Sequence, residues 1–129
     1  MNIGEMSGAT GLPSKTIRYY EEIGLISPRR GTNGYRDFGP EDQRRLIFLS
    51  RARRLGFSLE ECRRLMGLYC DRTRASRDVR DLALEHLDDI RNKIAQLQEL
   101  EHTLETLISG CRGDDDPHCA ILDGLSGKD

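Results

Sequence analysis

The sequence has little with which to build a core. Apolar residues make up 36% of its 129 positions and charged residues 33%. A chain this short and this polar buries only a marginal amount of surface alone, so a partner helix or a dimer is expected. It has no apolar run of about 18 residues, the length a membrane-spanning helix needs. Its opening, Met1-Asn2-Ile3-Gly4-Glu5, has neither the basic flank nor the apolar stretch of a secretory signal. The expected location is therefore the cytoplasm, where thiols stay reduced, with no membrane as partner. Cysteines are few: Cys62, Cys70, Cys111 and Cys119. In that compartment they read as buried residues or ligands rather than as a disulfide framework. No nucleophile–base pair and no open metal site with a general base is visible, so an enzyme is not expected and no catalytic residue is assigned.

What is present is unevenly distributed. Residues 1–80 hold 16 Lys+Arg against 10 Asp+Glu, a balance of +6, and residues 81–129 hold 4 against 12, a balance of −8. A basic front half joined to an acidic rear half suits a DNA-contacting part attached to one that avoids DNA. Solvation of helix faces accounts for each charge but not for their separation.

The front half reads as short helices. Residues 2–8 form one, Gly11 ends it, and Pro13 opens the first turn of a second over about 14–23, stopped by Gly24. Two such helices across a tight turn make a helix-turn-helix. Lys15, Arg18 and Tyr19 recur at i, i+3 and i+4 on one face of the second helix, with Thr16 nearby, while Ile17 and Tyr20 turn toward the core. Two cations, a hydroxyl and an aromatic ring suit a major groove and its phosphates. Asn33-Gly34 is a strong hairpin-turn signal. The expected strands cover about 25–27 and 35–38, a wing that carries Arg29, Arg30, Tyr35 and Arg36. Tyr35 is equally compatible with DNA contact and with packing on the first helices. A basic helix over about 40–55 follows, with Leu46, Leu49 and Arg53 on one face. Ser58 and Glu61 form a capping box for a fourth helix, whose inward stripe holds Leu59, Cys62, Leu65, Met66 and Tyr69.

Beyond a polar connector, a long helix spans about 76–109. Ala83, Leu87, Ile90, Ile94, Leu97, Leu104 and Ile108 follow alternating steps of four and three, with Glu101 the exception. Leu100 and Leu107 widen the stripe. A narrow stripe over several heptads argues for a coiled coil, and a second copy of the chain is the simplest partner. His86 and His102 on this helix read as surface or interface residues. The helix ends at the loop Cys111-Arg112-Gly113-Asp114-Asp115-Asp116-Pro117-His118-Cys119. Two thiols facing each other across seven residues indicate a soft-metal or a redox site. Asp114, Asp115 and Asp116 read as a solvated turn, because consecutive carboxylates lack the spacing of a calcium loop. His118 neighbours a thiol and is read as solvated.

The run Ile3-Gly4-Glu5, the string Thr16-Ile17-Arg18-Tyr19-Tyr20-Glu21-Glu22-Ile23-Gly24-Leu25-Ile26, the Asn33-Gly34-Tyr35-Arg36 turn and Leu55-Gly56-Phe57-Ser58-Leu59-Glu60-Glu61 together resemble the MerR family of bacterial transcription regulators. The rear half, ending in the cysteine loop and Ala120-Ile121-Leu122, resembles the family's copper-efflux branch. The resemblance covers essentially the whole chain. It implies a mainly α fold: a winged helix-turn-helix DNA-binding domain with helices 3 and 4 over 1–70, a connector at 71–75, a dimerisation helix over 76–109 that pairs antiparallel as a coiled coil, and a metal-binding loop with a C-terminal segment over 110–129. It implies a homodimer on double-stranded promoter DNA. On metal binding this dimer would distort an overlong promoter spacer, so that RNA polymerase engages both promoter elements and copper-resistance genes are activated. By position, Lys15, Thr16, Arg18, Tyr19, Tyr35 and Arg36 belong to the DNA-binding set and Cys111 and Cys119 to the metal site.

Two thiolates are soft ligands that select Cu(I), and Ag(I) or Au(I) share its charge and softness. In the family's divalent-metal branches an added cysteine stands at the start of the long helix, where this chain has Ser76, so the resemblance makes Ser76 a selectivity position. The segment after Cys119 is expected to be a short helix whose N-terminus offsets the negative charge of a bis-thiolate complex. Two alternatives stay open: a regulator that senses redox through a reversible Cys111–Cys119 disulfide, and a Cu(I) buffer or chaperone, which leaves the basic half and the wing unexplained.

Overall fold

Capping chemistry sets the starts of two of the helices in the computed structural model, which describes residues 1–127. The last residues of the expected 110–129 segment thus lie outside the described residues. In α1 (Ile3–Thr10) the Asn2 side chain accepts the Glu5 backbone N–H at 2.8 Å, while Glu5 accepts the Asn2 N–H at 3.1 Å. This reciprocal pairing satisfies donors that a helix start leaves without intrahelical partners. Gly11 closes α1 at φ 74°, a left-handed conformation that glycine adopts without a Cβ penalty. After Pro13 comes α2 (Ser14–Glu22). At its end the Arg63 guanidinium donates to the Ile23 carbonyl at 2.5 Å, so a cation from a later helix meets the negative end of this one.

The wing is a two-stranded antiparallel sheet, β1 (Arg29–Arg30) with β2 (Arg36–Asp37), in which Arg29 faces Asp37 and Arg30 faces Arg36. The first strand therefore lies later than the expected 25–27. Leu25 and Ile26 are buried in the core instead of paired in a ladder. Pro28 has no N–H to donate, so pairing begins only after it. Next come α3 (Pro40–Arg54) and α4 (Leu59–Cys70), the latter opened by the expected Ser58–Glu61 box at 3.1 and 2.9 Å. α5 (Ser76–Ser109) runs for 34 residues, and α6 is Ala120–Leu125. Among the described residues no helix is long and apolar enough to cross a membrane.

The chain divides into two compact units, Met1–Ala83 and Leu84–Asp129. The first contains the hydrophobic core. Met6, Ile17, Ile26, Leu46, Leu49 and Cys62 are its most deeply buried large side chains, joined by Phe38, Leu65 and Met66. Val79 and Leu82 from the first turns of α5 pack into the same core, so this unit continues past residue 70. On α3 the third buried position is Ala52 rather than Arg53, whose guanidinium donates to the Phe57 carbonyl at 2.7 Å. A long cationic side chain can line a core only by sending its head to a polar partner. Tyr69 is not fully inward either. It stays half-exposed and stacks on Phe48, ring centroids 4.6 Å apart.

The second unit holds most of α5, the cysteine loop and α6. The apolar stripe of α5 is open: Ile94, Leu97, Leu104 and Ile108 are each about half exposed or more. His86 departs from the surface reading and is buried, whereas His102 is exposed. α6 packs back on the end of α5. A Cβ on Gly124 would stand 2.5 Å from Leu107 Cδ2, and one on Gly110 would stand 3.3 Å from the Ala120 Cβ. Glycine at 124 is what allows this approach.

Candidate nucleic-acid interface and candidate metal centre

Burial of Ile17 and Tyr20 orients α2. The opposite face presents Lys15, Arg18 and Tyr19 to solvent, with Thr16 half-buried at its flank. Among the described residues neither Lys15 nor Arg18 has an ion-pair partner, so both guanidinium and ammonium are available to phosphate or base edges. Arg18 also lines an open cleft of about 760 Å³ that it shares with Tyr35, Arg36 and the start of α1. Tyr35 is 74% exposed at the wing tip, which rules out packing against the first helices and leaves its ring free to meet a ligand. The turn beneath it is held by the Asn33 carboxamide, which accepts the Tyr35 N–H at 3.1 Å, and by Gly34 at φ 81°.

Arg36 is less free than its neighbours. Its Nε donates to Glu21 Oε2 at 2.9 Å, and Arg30 Nη2 donates to Glu21 Oε1 at 3.1 Å. Sequence reasoning singled out Arg36 and overlooked Glu21. The missed signal was the register: Arg30 directly opposite Arg36 needs a counter-charge, because like charges facing each other across a ladder repel.

In the second unit the two candidate thiols come together. Cys111 Sγ and Cys119 Sγ lie 4.0 Å apart, both half-buried and both free. A point midway would be about 2.0 Å from each sulfur, half the separation, against a metal–thiolate bond of about 2.3 Å. Small side-chain rotations open that gap, so the pair fits a soft ion held by two sulfurs. Cys119 occupies the N-cap position of α6. The backbone N–H groups of Leu122, then of Ile121, together with the Cys111 thiol, hold the Cys119 thiol below its ordinary value, against burial and the Asp123 charge. Donors that favour thiolate over thiol favour a metal ligand as well.

Two of the three aspartates in the middle of the loop are otherwise engaged. Asp114 accepts the Asp116 N–H at 3.1 Å, and Asp116 accepts the His118 N–H at 3.0 Å and the Arg112 guanidinium at 2.6 Å. His118 is exposed, its Nδ1 3.6 Å from Asp123 Oδ2. Among the described residues no group of three or more His, Cys, Asp or Glu side chains is arranged to hold a metal. Ser76 is the exposed first residue of α5, at the end opposite to the cysteine loop. Of the other cysteines, Cys62 is fully buried and burial pushes its thiol up, as for a core residue, while Cys70 is exposed at the end of α4.

Known proteins match both halves of this arrangement. Residues 1–69 match the family model described as MerR HTH family regulatory protein, and residues 43–107 match the one described as MerR, DNA binding. The HTH-type transcriptional regulator HmrR of Rhizobium leguminosarum bv. viciae is 60% identical over 98% of this chain and 98% of its own length. Heavy metal-dependent transcription regulator 2 of Rhizobium meliloti is 50% identical over 98% of this chain and 86% of its own. Among solved structures, the transcription regulator PbrR691 from Ralstonia metallidurans in complex with lead(II) superimposes with a TM-score of 0.87 at 30% identity, over 97% of this chain and 98% of that one.

Proposed function

From the premise that the chain belongs to the MerR HTH family of regulatory proteins, we propose that it is a Cu(I)-responsive activator of copper-resistance genes, working as a homodimer on promoter DNA in the cytoplasm. It is a transcription regulator and not an enzyme. The observation that carries the copper reading is the pair of free thiols 4.0 Å apart in a loop that offers two donors. Two thiolates suit a soft +1 ion. Zn(II) generally takes four ligands. The heavy-metal relative and the lead(II) complex of PbrR691 support metal response in general, and the choice of Cu(I), with Ag(I) and Au(I) sharing its chemistry, rests on this donor set.

The residues then have the following roles. Lys15, Thr16, Arg18 and Tyr19 enter the groove, and Tyr35 and Arg36 grip the flanking backbone from the wing, within a DNA-binding domain over 1–70. The open stripe of α5 supports a dimerisation helix over 76–109, paired antiparallel with its copy. Ser76 begins α5 and Cys111 follows its end, so an antiparallel copy is what would bring Ser76 to a metal loop. A serine there withholds a third thiolate and disfavours divalent ions. Metal occupancy at the 110–129 segment biases the dimer toward a form that bends and untwists an overlong spacer for RNA polymerase.

Titration of the reduced protein with Cu(I) under strict anaerobiosis tests this. The expected stoichiometry is one ion per subunit, lost in Cys111→Ser and in Cys119→Ser while both variants still bind the promoter. Retention of the ion by either variant would sink the assignment. The thiol separation also favours a second reading, reversible disulfide sensing, which is selected if peroxide alone, without copper, reproduces the transcriptional response.

A further inference from the structure

Glu21 stands at the junction of α2 and the wing, and neither the groove-facing set nor the metal site includes it. On the helical wheel it flanks the Lys15–Arg18–Tyr19 face, about 60° round from Arg18 at 100° per residue. Each of its two carboxylate oxygens takes a different arginine, Oε1 from Arg30 at 3.1 Å and Oε2 from Arg36 at 2.9 Å. Those arginines are cross-strand partners in the sheet, so the carboxylate lies between two cations that would otherwise repel. The Glu21 and Arg36 side chains are only 20% and 22% exposed, which lowers the screening of this pair by water. Arg30, at 51%, forms the outer arm. By contrast Lys15 and Arg18 have no carboxylate partner among the described residues. The cleft beside the wing is thus lined by one free arginine, Arg18, and one held arginine, Arg36.

We propose that Glu21 is a positioning residue for DNA recognition: it ties the wing to the recognition helix and competes with phosphate for Arg30 and Arg36, so that DNA of arbitrary sequence does not capture the wing. This rests on the DNA-binding reading above. Each pair with Glu21 uses a single N–H of its arginine, so a phosphate can still reach either guanidinium, but it meets the Glu21 charge there and gains the full attraction only when Glu21 yields. A duplex seated correctly on α2 presents its backbone to the wing at short range and makes that exchange. A duplex held only by general electrostatic attraction does not. The carboxylate therefore subtracts from sequence-independent affinity more than from sequence-specific affinity, and the ratio of the two is what a regulator needs.

The test compares full-length wild type and Glu21→Gln on two probes across a salt series. One probe is sheared genomic DNA of mixed sequence, and the other is a short duplex enriched by the wild-type protein from a random-sequence pool. Glutamine keeps the shape and removes the charge. Glu21→Gln is expected to bind mixed-sequence DNA about fivefold more tightly, with the log–log salt slope steeper by about one to two, since each released arginine adds roughly 0.9. Its gain on the enriched duplex is expected to be smaller, so discrimination falls. A residue that served structure alone would weaken both probes together and leave the salt slope unchanged, and that result overturns the proposal. Arg30→Gln covers the case in which Glu21→Gln does not fold. With Glu21 holding the arginine, Arg30→Gln should change the mixed-sequence slope by well under one, and loss of a full unit would overturn the proposal. If the wild type binds neither probe in a salt-dependent way, the DNA-binding reading itself fails and this inference goes with it.

Discussion

Leu46 and Leu97 are the same residue with opposite fates. Leu46, on α3 in the first unit, is fully buried, whereas Leu97, on α5 in the second, is 63% exposed. Among the described residues every buried core hydrophobic lies at or before Leu82, while from Leu84 onward most of the α5 stripe (Leu87, Ile94, Leu97, Leu104 and Ile108) is exposed. Burying a leucine is favourable by about 1.5–3 kcal/mol relative to leaving it exposed. The first unit collects that gain within one chain. The second arranges its apolar side chains in a heptad and collects the gain only against a partner. This difference suits the proposed division into a DNA-reading part folded within one chain and a part that pairs with a second copy.

The sharpest way to break the contrast is to make the seam polar. Leu97→Asp combined with Leu104→Asp places carboxylates where an apolar seam is proposed, at several kcal/mol for each buried charge. Sedimentation should show the dimer replaced by monomer at micromolar concentration. A dimer that persists would show that the stripe is not the interface. The next largest effect lies in the core. Leu46→Ala should lower the unfolding free energy by about 3 kcal/mol, from lost burial and the cavity left behind, as read by urea denaturation. The corresponding Leu97→Ala should leave unfolding of the first unit nearly unchanged.

The thiols provide a third comparison. Cys119 is held toward thiolate by its helix-cap position, and Cys62 is pushed the other way by burial. Iodoacetamide should modify Cys119 in the native metal-free protein at least about a hundredfold faster than Cys62, followed by peptide mass spectrometry, because the thiolate is the reacting form. The sign with pH follows from the lowered value at Cys119. Its rate should level off before pH reaches the ordinary thiol range, and should fall about tenfold per unit below its own folded value. Cys62 should react only as the unit unfolds. The smallest effect concerns a local device: Ser58→Ala removes the acceptor of the Glu61 N–H and should cost about 1 kcal/mol, seen as a lower melting temperature.

Much of this was legible in the chain because the devices involved are local. Gly11, Pro13, Gly24 and Ser58 with Glu61 act within a few residues of themselves, so the helices begin and end near where those residues stand. The heptad was legible for the same reason, since a period is a property of neighbours. The wing was legible as a turn and not as a ladder. Asn33-Gly34 marks the reversal, but which residues pair depends on whether Leu25 and Ile26 are needed by a core assembled from distant helices. Tyr35 stayed ambiguous in the sequence, because its exposure is set by what else fills the space beside it.

By itself the sequence determined the winged helix-turn-helix with its basic face, the long heptad helix and the pair of thiols with seven residues between them. These follow from spacing, capping and donor chemistry, which act over short stretches. Only the tertiary structure decided that the thiols lie 4.0 Å apart, that Asp114 and Asp116 of the loop are engaged by Arg112 and by backbone, and that Glu21 holds Arg30 and Arg36. Each of these depends on a fold bringing separated atoms within a few ångströms, and hydrogen bonds and ion pairs have no reach beyond that distance.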